Sequence, residues 1–220
     1  MIKAKHQKWA RFIFDYYIDN LLRKNFANYY LINNYPDIDD NFNMVFTPNH
    51  ISWWDGFFID YVIKKSSNRK MYIMMLEEQL KRYWFFQKLG AYSVNPDSIS
   101  SLLTTVRYTR ELLKNPEMLA VIYPQGTIES FEKRPLTIKK GLKLFIENIP
   151  NEIAIIPVAF KIQYFNEMKP VVIARFGKIL KAETVCSDYQ LYINEFYLNI
   201  DELNKAVFEN KFQRDLFRKS

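Results

Sequence analysis

The sequence predicts an α/β fold, a single domain whose mixed central sheet is flanked by helices and preceded by an N-terminal amphipathic helix. Three observations carry this. Between residues 42 and 176, apolar runs of strand length alternate with segments of helical period, the pattern of a sheet covered by helices. At 220 residues the chain is long enough for one domain with a sizeable core. Glycine and proline fall singly at element ends, with no internal repeat or low-complexity stretch to suggest a different architecture.

Residues 3–24, KAKHQKWARFIFDYYIDNLLRK, place Trp9, Phe12, Ile13, Tyr16 and Tyr17 at helical spacing. Lys3, Lys5, Lys8 and Arg11 stand before and among them, and Arg23 and Lys24 after. Two uses of such a helix stay open, packing on the domain core or lying in a membrane interface, and different faces can serve both. The polar run NNYPDIDDN at 33–41 suggests a weak boundary between an N-terminal helical segment, 1–35, and the α/β domain, 36–220. Beyond it FNMVFTP (42–48) reads as a strand ending at Pro48, DGFFIDYVIKK (55–65) as a helix and RKMYIMML (69–76) as a strand. EEQLKRYWFFQKL (77–89) reads as a helix and AYSVN (91–95) as a short strand. A helix is expected from about Ser98 to Lys114, a strand over MLAVIYP (118–124) and a helix from about Thr137 to Glu147. Strands follow over EIAIIPVAF (152–160) and PVVIARF (170–176). From about Ser187 the chain reads as helical and basic, ending RDLFRKS.

Aromatic residues make up 17% of the chain, high for a soluble domain and suited to a surface that meets lipid headgroups, although aromatics also fill cores. The net charge of +7 attracts anionic partners such as phospholipid surfaces, nucleic acid or acidic acyl carriers. Against nucleic acid, the basic residues are scattered among acids, and no helix-turn-helix, zinc or RNA-recognition signature accompanies them. The lone cysteine, Cys186, excludes an intrachain disulfide and lacks zinc-type spacing, so the expectation is a reducing, cytoplasmic compartment and no metal site. No run of 18 apolar residues is present, and the N-terminus lacks the features of a secretory signal. The chain is expected neither to span a membrane nor to be exported.

Two stretches carry residues suited to chemistry. In TPNHISWWDG (47–56), His50 precedes Asp55 where a strand gives way to a helix, a place where α/β sheets commonly host sites. An imidazole near neutral pKa can take a proton from a hydroxyl, and a carboxylate on its other nitrogen fixes the tautomer. The plainer alternative is that Asp55 caps the helix and His50 bonds to backbone. In VIYPQGTIESFEKRP (121–135), Gly126 permits a sharp turn whose N–H groups could face an anionic oxygen, or the segment is a turn with no ligand. Trp53 and Trp54 suit an acyl channel, an interface anchor or the core.

Taken together, these stretches resemble the glycerophosphate and lysophospholipid acyltransferase family. Its first motif, His, four residues, Asp, is matched by HISWWD. YPQGTIE (123–129) resembles its third motif, Phe-Pro-Glu-Gly-Thr-Arg-Ser, and LGAYSVN (89–95) its second, with Gly90 and Tyr92 at the glycine and aromatic positions. IKKGL (138–142) is similar to its Phe-Lys-Lys-Gly-Ala stretch and IPVAF (156–160) to its fourth motif. The likeness covers roughly residues 43–160 in the family's order and spacing.

The resemblance implies transfer of a fatty acyl group from an acyl-CoA or acyl-ACP thioester to a lipid hydroxyl, without a cofactor. The partners are then a thioester donor, a hydroxyl-bearing lipid acceptor and a membrane surface, with the protein peripheral on the inner face of the cell membrane. It makes His50 the general base and Asp55 its orienting partner. Gln125, Gly126, Thr127, Gly90, Tyr92 and Lys140 become substrate-binding candidates, with N–H groups near Gly126 and Thr127 as oxyanion donors. No Gly-x-Ser-x-Gly elbow is present, which leaves Ser52 or Ser130 as weak candidates for a hydrolase nucleophile. The departures concern the acceptor. Ile128 and Glu129 replace the third motif's Arg-Ser, Gln125 replaces its glutamate, and Pro96 falls where an arginine often closes the second motif. Isoleucine and proline cannot grip phosphate as an arginine fork does, so a neutral or glycosylated hydroxyl lipid is favoured over a lysophospholipid unless Lys133, Arg134, Lys139 or Lys140 restores the charge. A non-catalytic membrane-binding relative is the remaining alternative.

Overall fold

The computed structural model describes residues 1–39, 42–150 and 152–218. The last two residues of the polar 33–41 run and the last two of the C-terminal RDLFRKS lie outside the described residues. The chain begins with helix α1 (Lys8–Asn25), strands β1 (Tyr29–Leu31) and β2 (Asn43–Pro48), helix α2 (Asp55–Ser66) and strand β3 (Lys70–Leu76). Helix α3 (Glu77–Arg82), a 3-10 helix (Trp84–Leu89), β4 (Ala91–Val94), α4 (Ile99–Leu112), β5 (Met118–Val121) and α5 (Leu142–Ile146) follow. The remainder is β6 (Ile153–Gln163), β7 (Val171–Phe176), β8 (Leu180–Lys181), α6 (Ala182–Ser187), α7 (Tyr189–Phe208) and β9 (Arg214–Asp215).

The sheet is mixed, as predicted. Among the described residues its order is β4-β3-β5-β2-β6-β7-β1-β9, with β8 paired to β6. The first five strands in this order are parallel, and β7 turns the sheet by pairing antiparallel to β6. All six residues of β2 are buried, because helices cover both faces of this central strand. Pro48, paired with Val158, is its last residue, so the chain leaves the sheet in the middle of the parallel strand ends.

Helix α1 is divided by its period. Ala10, Phe14, Ile18 and Leu22 are buried in the core, while Phe12 and Tyr16, 79% and 78% exposed, lead an outer face that includes Trp9, Ile13 and Tyr17. Each large side chain on the inner face contributes about 1.5–3 kcal/mol by leaving water. The helix starts later than expected, at Lys8, because the preceding residues lie extended against the second-motif region. Ile2 and Ser93 exchange bonds, and Lys5 and Gln7 donate to Gln87 and Lys88 carbonyls. No helix among the described residues is long and apolar enough to cross a membrane.

Other departures from the expected elements have local causes. β1, β8 and β9 are two or three residues long, too short to show a period. The predicted 77–89 helix breaks at Tyr83, whose φ of −110° and ψ of 53° end α3 before the 3-10 turn. The predicted 137–147 helix shrinks to α5 because Thr137 and Lys139 bond instead to Glu129 and Pro124. The C-terminal helix is not basic: α7 carries Glu195, Asp201 and Glu202 against Lys205, and the basic residues Lys211, Arg214 and Arg218 come after it.

Candidate active site

The loop after β2 is pinned before it reaches His50. Asn49 is buried, its side chain accepts the Phe160 N–H at 2.7 Å and donates to the Phe160 carbonyl at 2.9 Å. The loop then folds back on the first residue of α2. His50 Nδ1 lies 2.8 Å from Asp55 Oδ2, with the histidine side chain 24% exposed and the aspartate fully buried. Asp55 also accepts the Ile51 and Ser52 N–H groups at 2.7 and 2.9 Å and the Ser52 hydroxyl at 2.8 Å. An ionised carboxylate only accepts, and these four donors fill its capacity. Nδ1 therefore carries the proton, which leaves Nε2 as the ring's acceptor. Asp55 makes no side-chain cap to α2, so it turns to the loop and not to the helix. Ser52 donates to Asp55, and neither it nor the exposed Ser130 bonds to His50 among the described residues.

The third-motif segment closes over His50 from the neighbouring strand β5. The Tyr123 ring lies against the imidazole, 4.4 Å between centroids and tilted by 31°. Burial raises the Tyr123 phenol well above its ordinary pKa, so it stays neutral. Gln125 is fully buried and bonds to both sides of the His50 peptide: its Oε1 accepts the His50 N–H at 2.7 Å and its Nε2 donates to the carbonyl at 3.3 Å. Gly126 turns with φ +70°, and a Cβ there would stand 2.8 Å from Lys139 Nζ, so the lysine lies along the turn. The Gly126 N–H is taken by the Tyr123 carbonyl at 3.2 Å. Among the described residues, the N–H groups of Thr127 and Ile128 have no acceptor. The oxyanion expectation thus moves one residue along, from Gly126 and Thr127 to Thr127 and Ile128.

Other sequence candidates stand elsewhere. Gly90 ends the 3-10 helix at φ +110°, where a Cβ would meet the Met71 carbonyl at 2.2 Å, so this glycine serves close packing. Tyr92 is fully buried and its hydroxyl meets Thr109 of α4 at 3.1 Å. Neither lines the cleft beside His50. Lys140 is exposed and has no bond to the His50 cluster among the described residues. Of the other cations, Lys133 is paired with Glu129 and Arg134 donates to the Phe131 and Lys133 carbonyls. Lys139 has no carboxylate partner among the described residues, and its ammonium stands beside the turn.

A cleft of about 500 Å³ opens at His50. Thr127, Ile128 and Trp53 share its mouth region, and its walls include Phe57 of α2, Phe14 of α1 and, along β3 from Met71 to Leu76, every residue but Tyr72. That stretch of strand spans about 16 Å. No lysine or arginine among the described residues lines the cleft, and its one carboxylate besides, Asp60, is bound bidentately by Arg11 at 2.6 and 2.7 Å. Trp53 is half exposed and packs on Phe57, while Trp54 turns to Phe26 in the core. The two tryptophans thus divide the roles the sequence left open.

The model of the acyltransferase family matches residues 28–161. The chain belongs to this acyltransferase family. Among solved structures, the acyltransferase is similar to the 1-acyl-sn-glycerophosphate (LPA) acyltransferase PlsC from Thermotoga maritima. The likeness has 19% sequence identity and a TM-score of 0.56, and it covers 86% of this chain and 77% of that one. At that identity it speaks for a shared fold. No curated protein matches the acyltransferase in a sequence comparison. The family match spans His50, Asp55, Gln125 and Gly126, the residues that meet at the cleft mouth. Sequence reasoning missed Asn49, the stacking of Tyr123 and the role of Glu129. A signal existed for the last: Gln125 and Glu129 depart from the family pattern together.

Proposed function

We propose that this enzyme moves a fatty acyl group from an acyl-CoA or acyl-ACP thioester to a lipid hydroxyl, with His50 as general base. The observation that carries the reading is the Nδ1–Asp55 bond at the mouth of an apolar cleft, which leaves Nε2 as a proton acceptor. Nε2 takes the hydroxyl proton as the oxygen forms its bond to the thioester carbonyl carbon. The C–S bond then breaks, and the imidazolium returns the proton to the leaving thiolate, so ester and free thiol are the products. Asp55 steadies the transient positive charge on the ring. The N–H groups of Thr127 and Ile128 are the donors for the tetrahedral oxyanion, a contribution of roughly 3 kcal/mol by analogy with other such donors. The apolar cleft suits the fatty chain.

The acceptor is read as a hydroxyl lipid without a phosphate, because Ile128 stands at the mouth where the family pattern has arginine and no cation lines the cleft. Lys139, beside Gly126 and without a carboxylate partner among the described residues, supports a second reading, a lysophosphatidic acid or lysophospholipid acceptor of phospholipid synthesis. Purified protein and His50→Ala, incubated with palmitoyl-CoA and a bacterial lipid extract, separate these readings. Thiol release and new esters are followed by mass spectrometry, and the variant is expected to lose at least about a hundredfold in turnover. Near-normal activity in the variant removes the base role. A phosphate-bearing product selects the second acceptor reading, a neutral or sugar-bearing ester the first.

The outer face of α1 is the membrane contact in this reading, with the enzyme peripheral on the inner face of the cell membrane. Its exposed Trp9, Phe12, Ile13, Tyr16 and Tyr17 lie beside Lys8 and next to the cleft wall formed by Phe14. Truncation is a poor test, because it removes the buried face of α1. Phe12→Asp with Tyr16→Asp leaves that face intact and is expected to abolish flotation with anionic vesicles; unchanged flotation refutes the contact.

A further inference from the structure

Gln125 and Glu129 replace two residues of the family pattern, and in space they are one unit. Gln125 Nε2 donates to Glu129 Oε2 at 3.1 Å as well as to the His50 carbonyl. We propose that Gln125 and Glu129 are a positioning pair that locks the His50 backbone, and through it the direction of the imidazole, at the cleft mouth. The proposal rests on His50 acting as the base.

An amide has an accepting end and a donating end of almost the same shape. Which end faces the His50 N–H is decided by a neighbour that can only accept or only donate. The His50 N–H and carbonyl are two such neighbours, the carbonyl at a long 3.3 Å, and the Glu129 carboxylate is a third that reinforces them. That carboxylate accepts the Thr137 N–H at 2.9 Å, the Thr137 hydroxyl at 2.7 Å and the Lys133 ammonium. These donors, Lys133 foremost, hold its pKa down to about 2, so it stays ionised and accepting at any working pH. The Gln125 nitrogen must then face Glu129, and its oxygen must face the His50 N–H. Glu129 adds a second hold, because its own N–H donates to the His50 carbonyl at 2.9 Å. His50 is thereby gripped on both sides of its backbone by a loop distant in sequence, while Asp55 grips its ring from within its own loop.

The same geometry predicts that neither residue tolerates the family's choice alone. A carboxylate at 125 would stand about as close to Glu129 as the present 3.1 Å bond and would offer no donor to the His50 carbonyl. A serine at 129 would leave the Gln125 amide held by the His50 backbone alone, through one bond of 2.7 Å and one of 3.3 Å. The two departures therefore move one acid along the loop and insert an amide where the acid stood.

The test compares kcat and KM for the wild type, Gln125→Glu, Glu129→Gln and the double variant that exchanges the two side chains, with His50→Ala as the baseline. A second readout is the ¹⁵N and ¹H shifts of the His50 ring, tractable because the chain has only two histidines. Misplacing a catalytic group by a fraction of an ångström falls on kcat, so Gln125→Glu is expected to lose about 30-fold in kcat with little change in KM. Glu129→Gln removes the carboxylate's hold on the amide, which then keeps only its bonds to the His50 backbone, and is expected to lose about tenfold. The exchanged pair, which again sets an acid against an amide, is expected to recover to within about fivefold of the wild type, with the ring shifts returning toward their original values. Wild-type kcat in Gln125→Glu, or an exchanged pair no better than the sum of its single variants, overturns the proposal. Should Gln125→Glu fail to fold, Glu129→Gln and the exchanged pair decide by the same criteria. If His50→Ala retains wild-type activity, the base role falls, and unmoved His50 ring shifts across the variants then overturn the positioning pair on their own.

Discussion

Asp55 is satisfied from within residues 50–52, whereas Glu129 draws on residues 125, 133 and 137. Both carboxylates are buried, both accept four donors, and both stand next to His50. They differ in how far along the chain their donors lie. A short-range network forms whenever its loop turns, so its geometry follows from a few consecutive residues. A longer-range one depends on how the 123–141 segment packs. The first region keeps the residues of the family pattern, and the second exchanges several of them and compensates. This is the order expected if a locally closed network cannot lose one member, while a distributed one can be rebuilt around a new pair.

The strongest test of that contrast is Asp55→Asn. An amide there can keep its oxygen toward the Ile51 and Ser52 N–H groups and His50 Nδ1 and turn its NH2 to the Ser52 hydroxyl, but it loses the negative charge that holds the Nδ1 proton and steadies the imidazolium. Turnover is expected to fall by about a hundredfold or more, with a stability loss of roughly 1–3 kcal/mol in urea unfolding. A mild effect on both would mean that the loop does not depend on its carboxylate.

In the distributed region, a single change should be tolerated and should retune the acceptor. Ile128→Arg restores a fork at the cleft mouth and is expected to raise kcat/KM for a phosphate-bearing acceptor by about tenfold relative to a neutral one. An unchanged ratio would place the acceptor headgroup away from the Ile128 side chain.

The smallest expected effect is on acid stability. Glu129 has a folded pKa lowered to about 2 from an ordinary 4.5, so its contribution is full above the ordinary value and is lost as pH falls through the folded one. With allowance for solvent screening, this amounts to roughly 1–2 kcal/mol. Glu129→Gln should therefore be less stable than the wild type at neutral pH, and the gap should close between pH 4.5 and 2. A gap that stays constant over that window would show that the carboxylate charge does not contribute.

The legibility of the fold followed the same distinction of range. β2, α2, β3 and α4 are legible in the sequence because each is an apolar or periodic run of full element length bounded by polar or turn residues. β1 is not, since its three residues pair with β7 more than 140 positions away and carry no period of their own. The aromatic run of α1 left core packing and an interface both open, and the structure buries a quieter series, Ala10, Phe14, Ile18 and Leu22, while Trp9, Phe12, Ile13, Tyr16 and Tyr17 stay exposed. Of the site, His50, Asp55 and Gln125 meet where their motifs implied a common cluster, while Gly90 and Tyr92 serve packing.

By itself the sequence determined the alternation of strands and helices, the α/β class and the placing of a histidine–aspartate pair at a strand end. These depend on hydrophobic period and on contacts within a few residues, which are written in adjacent letters. The tertiary structure alone decided which donors Glu129 would collect, which of four cations would stand beside Gly126 and which face of α1 would enter the core. Those outcomes depend on how the irregular 123–141 segment folds on itself and how α1 meets the rest of the core, and the spacing of adjacent letters carries no record of either.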